Sequence, residues 1–213
     1  MPVSILLSAI LVAAQEQPRA TLIDEFGFIH CDEMLARIDN FYIQLNSNPT
    51  AKGLVVISGS NDHLVKKLQL EILFTSGVIQ RRRETSRVAV IRGKETGEAK
   101  MQFWLLPAGA KEPEKAVATW NLTIPEGTKP FYFHSDSDSI CFYPTVYKHL
   151  KELLAANPKL RINAVVWEQN SRKFRKEVRS IREILVTDKT RRLRFFQKRE
   201  FAFESATEFW LLP

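Results

Sequence analysis

Apolar side chains recur every three or four residues in four stretches of the chain, and this spacing predicts four amphipathic helices. Two helices carry their apolar faces at Met34, Leu35, Ile38, Phe41, Tyr42 and Leu45, and at Val146, Tyr147, Leu150, Leu153 and Leu154. The other two carry them at Leu64, Leu68 and Ile72, and at Phe174, Val178, Ile181 and Leu185. Asn48-Pro49 and Asn157-Pro158 end the first pair, because proline disfavours helical geometry in the residue before it.

Strand patterns surround these helices in the same order twice. The runs Gly53–Ile57 and Asn163–Trp167 are continuously apolar or nearly so, which predicts strands buried on both faces. Extended segments open each pattern and two further strands close it, and the last two strands of the chain are predicted to form a hairpin. The opening strands are Ala20–Ile23 and Pro130–His134, and the closing ones are Arg87–Arg92 with Lys100–Leu106 and Arg192–Gln197 with Thr207–Leu212.

The pentapeptide FWLLP occurs at Phe103–Pro107 and again at Phe209–Pro213, and other matches surround it. Cys31 matches Cys141, and the matched positions stand 106 to 110 residues apart. A period of this length is too long for a solenoid and indicates two globular domains. We therefore expect an α/β protein of two repeated β-α-β-α-β-β units. Each unit is an α+β two-layer sandwich, with a mixed sheet and both helices on one face.

The predicted organisation has four parts: a leader over 1–19, a first unit over 20–107, a linker over 108–128 and a second unit over 129–213. Val3–Ala14 holds ten apolar residues and two serines before a polar stretch, which is typical of a secretory signal. The alternative is an apolar N-terminal element of the fold. No later segment is apolar over the length needed to span a bilayer. In the linker, Trp120–Ile124 is either loop or an extra strand that docks one unit on the other.

Two cysteines allow at most one bridge, and a bridge would require equivalent places of the two units to face each other. We therefore expect Cys31 and Cys141 to be two buried free thiols, with the bridged alternative left open.

The stretch DEFGFIHCDEMLARIDNFYIQLNSNP at Asp24–Pro49, followed by AKGLVVISG, SRVAVIRG and EAKMQFWLLPAGA, resembles the OmpA-like domain in a divergent form of exported bacterial proteins. The second unit shares the resemblance through the repeat. The resemblance implies contact with the peptidoglycan stem peptide through an aspartate after the second strand and an arginine on the next helix. Asp62 stands in that loop, and Lys66 and Lys67 stand near the arginine position. Lysine lacks the bidentate fork of arginine, and the matching loop of the second unit has no aspartate.

Catalytic and metal-binding motifs are not recognisable. The four histidines are scattered without zinc-ligand spacing, and neither a glycine-rich phosphate loop nor a Gly-x-Ser-x-Gly turn occurs. The clusters around His30 with Asp32, and His134 with Asp136 and Asp138, are assigned to loop and helix-cap roles. We expect no enzyme, cofactor or metal. An enzymatic alternative survives only as a site assembled from residues distant in sequence.

The two units differ in net charge. Residues 128–213 hold 17 Lys and Arg against 10 Asp and Glu, so the whole net charge of +7 lies there. The second helix of that unit is predicted to present a surface for an anionic partner, or simply a solvated face. Its cations are Arg172, Lys173, Arg175, Lys176, Arg179 and Arg182.

These observations together predict a non-enzymatic secreted protein, periplasmic or associated with the outer envelope, that acts as an interaction or structural module. Peptidoglycan or another anionic envelope polymer is the expected partner. A first alternative is a subunit of a larger envelope assembly that does not touch peptidoglycan, with partners covering apolar strands. Phe195, Phe196, Phe201 and Phe203 would supply that surface. A second alternative, a nucleic-acid binder, is disfavoured by the leader.

Overall fold

The computed structural model describes residues 17–113, 120–135, 145–185, 192–199 and 206–213, except for the side chains at 134 and 135. The predicted order β-α-β-α-β-β occurs twice, and the α/β fold class is confirmed. The first unit comprises β1 (Thr21–Phe26), α1 (Cys31–Ser47), β2 (Lys52–Ser58), α2 (Leu64–Gln80), β3 (Val88–Arg92) and β4 (Lys100–Leu106). The second comprises β5 (Phe131–Ser135), α3 (Val146–Ala156), β6 (Arg161–Trp167), α4 (Ser171–Leu185), β7 (Leu193–Lys198) and β8 (Ala206–Leu212). The predicted leader lies outside the described residues up to position 16.

Each unit has one four-stranded mixed sheet, in the order β1-β4-β2-β3 or β5-β8-β6-β7. Among the described strands, only β2 with β3 and β6 with β7 pair in parallel. The FWLLP strands β4 and β8 therefore lie inside the sheets, between the first and second strands of their units. The prediction that the last two strands pair as a hairpin is wrong. β4 carries apolar side chains on both faces, and such a strand is stabilised more in the sheet interior than at an edge.

Both helices of each unit pack on one face of its sheet. The Phe103 ring of β4 lies 4.8 Å from Phe41 of α1 and 5.6 Å from Phe74 of α2. In the second unit, Tyr147 of α3 contacts Phe209 of β8 at 5.8 Å. These contacts give each unit the two layers that the hydrophobic pattern predicts.

The predicted apolar faces are buried to different extents in the two units. All six predicted positions on α1 are buried, but in α4 only Ile181 and Leu185 are buried. Burial of both strand faces holds for β2 and is wrong for β6, where Asn163, Val165 and Trp167 are half-buried. The second sheet is therefore more open on the face away from its helices.

The two units pack against each other through α2. One hydrophobic cluster runs through both units, and the linker residue Trp120 is buried in it. The segment 120–124 is docked but is not a strand. Asn157 fixes it, accepting a hydrogen bond from the Ile124 amide at 2.8 Å and donating one to the Leu122 carbonyl at 2.8 Å.

Cys31, at the start of α1, is disulfide-bonded, so the expectation of a free thiol is wrong for this residue. Cys141 is the only other cysteine of the chain and lies outside the described residues. The expectation assumed that these parts of the units do not meet. Instead α2, which packs against α1, also contacts β5 and α3, the elements on either side of position 141 in the sequence.

Within the described ranges, every helix is too short or too polar to cross a membrane.

Candidate anion-binding surface and the unit interface

The helices α2 and α4 occupy the same place in the repeat but have opposite environments. Eleven of the 17 residues of α2 are buried, whereas α4 buries only two of 15. The difference arises because the second unit covers α2, and no described element covers the same face of α4. Of these two equivalent helices, α2 is therefore largely buried within the protein and α4 is largely exposed to solvent.

Hydrogen bonds hold the second unit onto α2. Gln69 donates to the backbone carbonyl of Phe133 in β5 at 2.7 Å. The hydroxyl groups of Thr75 and Ser76 lie 3.1 and 3.0 Å from that of Thr145, just before α3. These partially buried polar contacts fix the register of the two units, since a shift would leave the polar groups without partners.

A charged network crosses the same interface. The Glu71 carboxylate of α2 lies 3.1 Å from the Arg92 guanidinium and 3.4 Å from His149 Nε2 of α3. Arg92 also binds Glu152 of α3 at 3.2 Å. Burial alone would raise the pKa of Glu71, but the contacts with His149 and Arg92 outweigh burial and lower that pKa to about 2. The same carboxylates raise the pKa of Arg92 against the effect of burial.

The three residues predicted to bind a peptidoglycan peptide differ in exposure to solvent. The side chain of Lys67 is fully buried, with Nζ 4.7 Å from the centre of the Trp120 ring and 3.7 Å from Glu95. Burial lowers the pKa of Lys67. Lys67 therefore belongs to the unit interface, and a ligand in solvent cannot reach its amine.

Asp62 and Lys66 are both exposed, one helical turn apart, in a single-turn 3-10 helix (Asn61–His63) and the start of α2. Within the described part of the chain they form no ion pair. The loop before them turns at Gly59, where φ is 140° and an added Cβ would lie 2.8 Å from the Ala99 Cα. Of the predicted first-unit site, a carboxylate and one lysine thus remain open to solvent at the end of β2.

We define the α4 cationic face by six exposed side chains on α4. They are Arg172, Lys173, Arg175, Lys176, Arg179 and Arg182. None of them makes an ion pair with another described residue, and five of them line a shallow groove of about 510 Å³. Arg182 also lies over the Phe195 ring at 5.2 Å.

Repeat alignment explains why α4 is not covered as α2 is. With the strands β2 and β6 superposed, Arg179 takes the place of Leu70, and Arg182 takes that of Leu73. Both leucines are buried in the first unit. Replacing buried leucines with arginines would make burial of this face against an apolar partner costly, because desolvating unpaired cations is unfavourable.

The described residues contain no group of three or more His, Cys, Asp or Glu side chains able to hold a metal ion. Asp136 and Asp138 of one predicted cluster lie outside the described residues. His30, from the other cluster, precedes α1 and makes no side-chain cap.

Sequence comparison finds no known family and no curated protein that matches this chain. The resemblance to OmpA-like domains therefore remains a prediction from the motifs.

Proposed function

We propose that this is an exported, non-catalytic protein of two OmpA-like units that binds an anionic polymer of the cell envelope through the α4 cationic face. This proposal rests on the difference between the equivalent helices α2 and α4 of the two units. Helix α2, which packs the units together, buries eleven of its 17 residues, whereas its counterpart α4 presents six exposed cations to solvent.

The arrangement of positive charge on the α4 cationic face favours a polymeric partner over a compact one. Exposed lysines and arginines without ion pairs attract anions at long range, and this attraction is screened above a Debye length of about 8 Å at physiological salt. Five cations along one shallow groove suit a repeating anion better than a single enclosed ligand.

Export is supported by the disulfide at Cys31 and by the apolar leader pattern. Disulfides persist in oxidising compartments such as the periplasm and are rare in the cytosol. An exported protein does not meet intracellular nucleic acid, which makes the nucleic-acid alternative the weaker one.

A second contact is proposed at Asp62 and Lys66, with the stem peptide of peptidoglycan as the ligand. The observation that favours it is their joint exposure at the end of β2, where the family resemblance places its ligand. With Lys67 buried, the contact has one carboxylate and one amine and is expected to be weak.

Co-sedimentation with purified peptidoglycan sacculi tests both contacts. The full chain is compared with Arg175→Gln/Arg179→Gln, with Asp62→Ala, and with Lys151→Gln/Lys159→Gln, which removes two exposed cations elsewhere in the second unit. We expect binding at low salt that decreases at moderate salt, is reduced in the α4 variant and persists in the control. Salt-resistant binding lost in Asp62→Ala would assign the interaction to the first unit instead. Absence of binding by the unmodified chain would refute the cell-wall proposal and favour a protein partner in an envelope assembly.

A further inference from the structure

The second sheet has an open face, away from α3 and α4, that differs from its counterpart in the first sheet. Strand pairing places four side chains in one row across it, since directly paired residues point to the same side of a sheet. That row is Tyr132, Trp210, Asn163 and Arg194. The equivalent row of the first sheet is Leu22, Trp104, Leu54 and Ala89. The repeat thus keeps the tryptophan and replaces its aliphatic neighbours with aromatic, amide and guanidinium groups.

The aromatic side chains of this open face are accessible. Tyr132 is 42 % exposed, Phe196 46 % and Trp210 38 %. At the centre of the face, Asn163 and Val165 are half-buried, whereas their counterparts in the first sheet, Leu54 and Val56, are at most 2 % exposed. Exposed rings on a rigid sheet lose little conformational entropy when a ligand stacks on them.

A carboxylate holds two indole rings in place on this face. Glu208 accepts hydrogen bonds from Trp167 Nε1 at 3.0 Å and from Trp210 Nε1 at 3.2 Å. Trp210 also meets Tyr132 edge to face at 5.7 Å. The orientation of the Trp210 ring is therefore fixed by a hydrogen bond on one side and by an aromatic neighbour on the other, which is a feature of a preorganised site.

Charge on this face favours an anion. Arg161, Arg194 and Lys198 point to the open side and are exposed, and Lys198 lies over the Trp167 ring at 4.0 Å. Glu208 is the one acidic side chain that the described strands place there, and both of its oxygens already accept hydrogen bonds from indoles. The face thus combines stacking surfaces with three cations that make no ion pair with a described residue.

We propose that the open face of the second sheet binds an acidic polysaccharide. The aliphatic C–H groups of a sugar ring are electropositive and meet the electron-rich faces of aromatic rings favourably. Arginine donates paired hydrogen bonds to a carboxylate. Trp210 and Phe196 stand two strand spacings and two residues apart, about 12 Å, so a ligand that touches both is an oligomer.

Two competing ligands are less well matched. A protein partner would have to bury three cations that make no ion pair with a described residue, and desolvating unpaired charges is costly. Single-stranded nucleic acid stacks on aromatic rings in the same way, and the choice of a glycan over it rests on the export proposed above. The surface itself is independent of the α4 cationic face, which lies on the opposite side of the sheet.

Isothermal titration calorimetry of the full chain tests the proposal with three probes: alginate oligomers as the acidic polysaccharide, a neutral cello-oligosaccharide, and oligo(dT). We expect alginate to bind more tightly than the neutral oligomer. Trp210→Leu should weaken alginate binding about tenfold or more through loss of one stacked ring. Trp210→Tyr should retain most of the affinity, and Trp104→Leu, the matched change in the first sheet, should leave it unchanged.

Arg194→Gln should weaken alginate binding and leave binding of the neutral oligomer as it was. Arg175→Gln/Arg179→Gln should leave alginate affinity unchanged. If only this α4 variant loses alginate, the sugar binds at the α4 cationic face and the present inference is overturned, while the proposed function stands. Absence of alginate binding, unchanged affinity in a folded Trp210→Leu variant, tighter binding of the neutral oligomer, or a preference for oligo(dT) would each overturn it as well.

Discussion

Replacing Glu71 with glutamine removes the charge at the centre of the unit interface and keeps the shape of the side chain. Glu71 is nearly fully buried and faces Arg92 at 3.1 Å and His149 at 3.4 Å. The variant leaves Arg92 with Glu152 as its remaining acidic partner. We expect the two units to separate or unfold more easily as a result.

The magnitude follows from the pKa of Glu71, which falls from an ordinary 4.5 to about 2 in the folded protein. Because the folded value is the lower one, ionised Glu71 stabilises the fold above pH 4.5, and this stabilisation is lost as the pH falls through about 2. The difference corresponds to about 3 kcal/mol at pH 7 and about half of that at pH 3.

Urea unfolding, followed by far-UV circular dichroism, measures this difference between the wild-type protein and Glu71→Gln at both pH values. The control is Glu183→Gln, an exposed carboxylate on α4 that should change the free energy of unfolding by less than about 0.5 kcal/mol. A loss in Glu71→Gln that is equally large at pH 7 and pH 3, or no larger than the control, would refute the reasoning.

Three further predictions concern the linker, a loop and the cysteines. Trp120→Ala should cost about 3–5 kcal/mol in urea unfolding, because the buried ring contacts Lys67 and Arg92; a loss below about 1 kcal/mol would contradict its docked position. Gly59→Ala should lower the thermal midpoint of unfolding, with a cost of about 1–3 kcal/mol, because φ at Gly59 is 140° and the added Cβ would lie 2.8 Å from the Ala99 Cα. An unchanged midpoint would contradict this geometry of the turn before Asp62. Non-reducing mass spectrometry of the oxidised monomer should find the Cys31 peptide cross-linked to the Cys141 peptide, the only other cysteine peptide of the chain, and a free Cys31 thiol would contradict the bridge.

Local pattern was enough to predict the elements. The α1 apolar face was predicted residue by residue, because a three-to-four spacing over four turns has few other structural explanations. The internal repeat then carried the same assignment into the second unit. FWLLP identified a strand in each unit but not its place, since strand order depends on pairing between distant segments rather than on local period.

The unit interface could not be predicted, because charged residues are usually exposed and the local sequence does not indicate which of them are buried. Lys67 was assigned to a ligand site from its position after a loop, whereas it is buried against Trp120. Glu71, Arg92 and His149 come from separate elements of the two units, so nothing in their local sequence indicates that they meet. The basic character of α4 was visible in the sequence, and its significance emerged only from comparison with the covered helix α2.

Hydrogen–deuterium exchange of the full chain, with and without fragmented peptidoglycan sacculi at low salt, tests most directly the claim that the α4 cationic face is the binding surface. We expect slower amide exchange in residues 171–185 when the polymer is present, with no change in residues 70–80, the part of α2 beyond Lys66 that is mostly buried. Slower exchange confined to other segments, or no change anywhere in the chain, would contradict it.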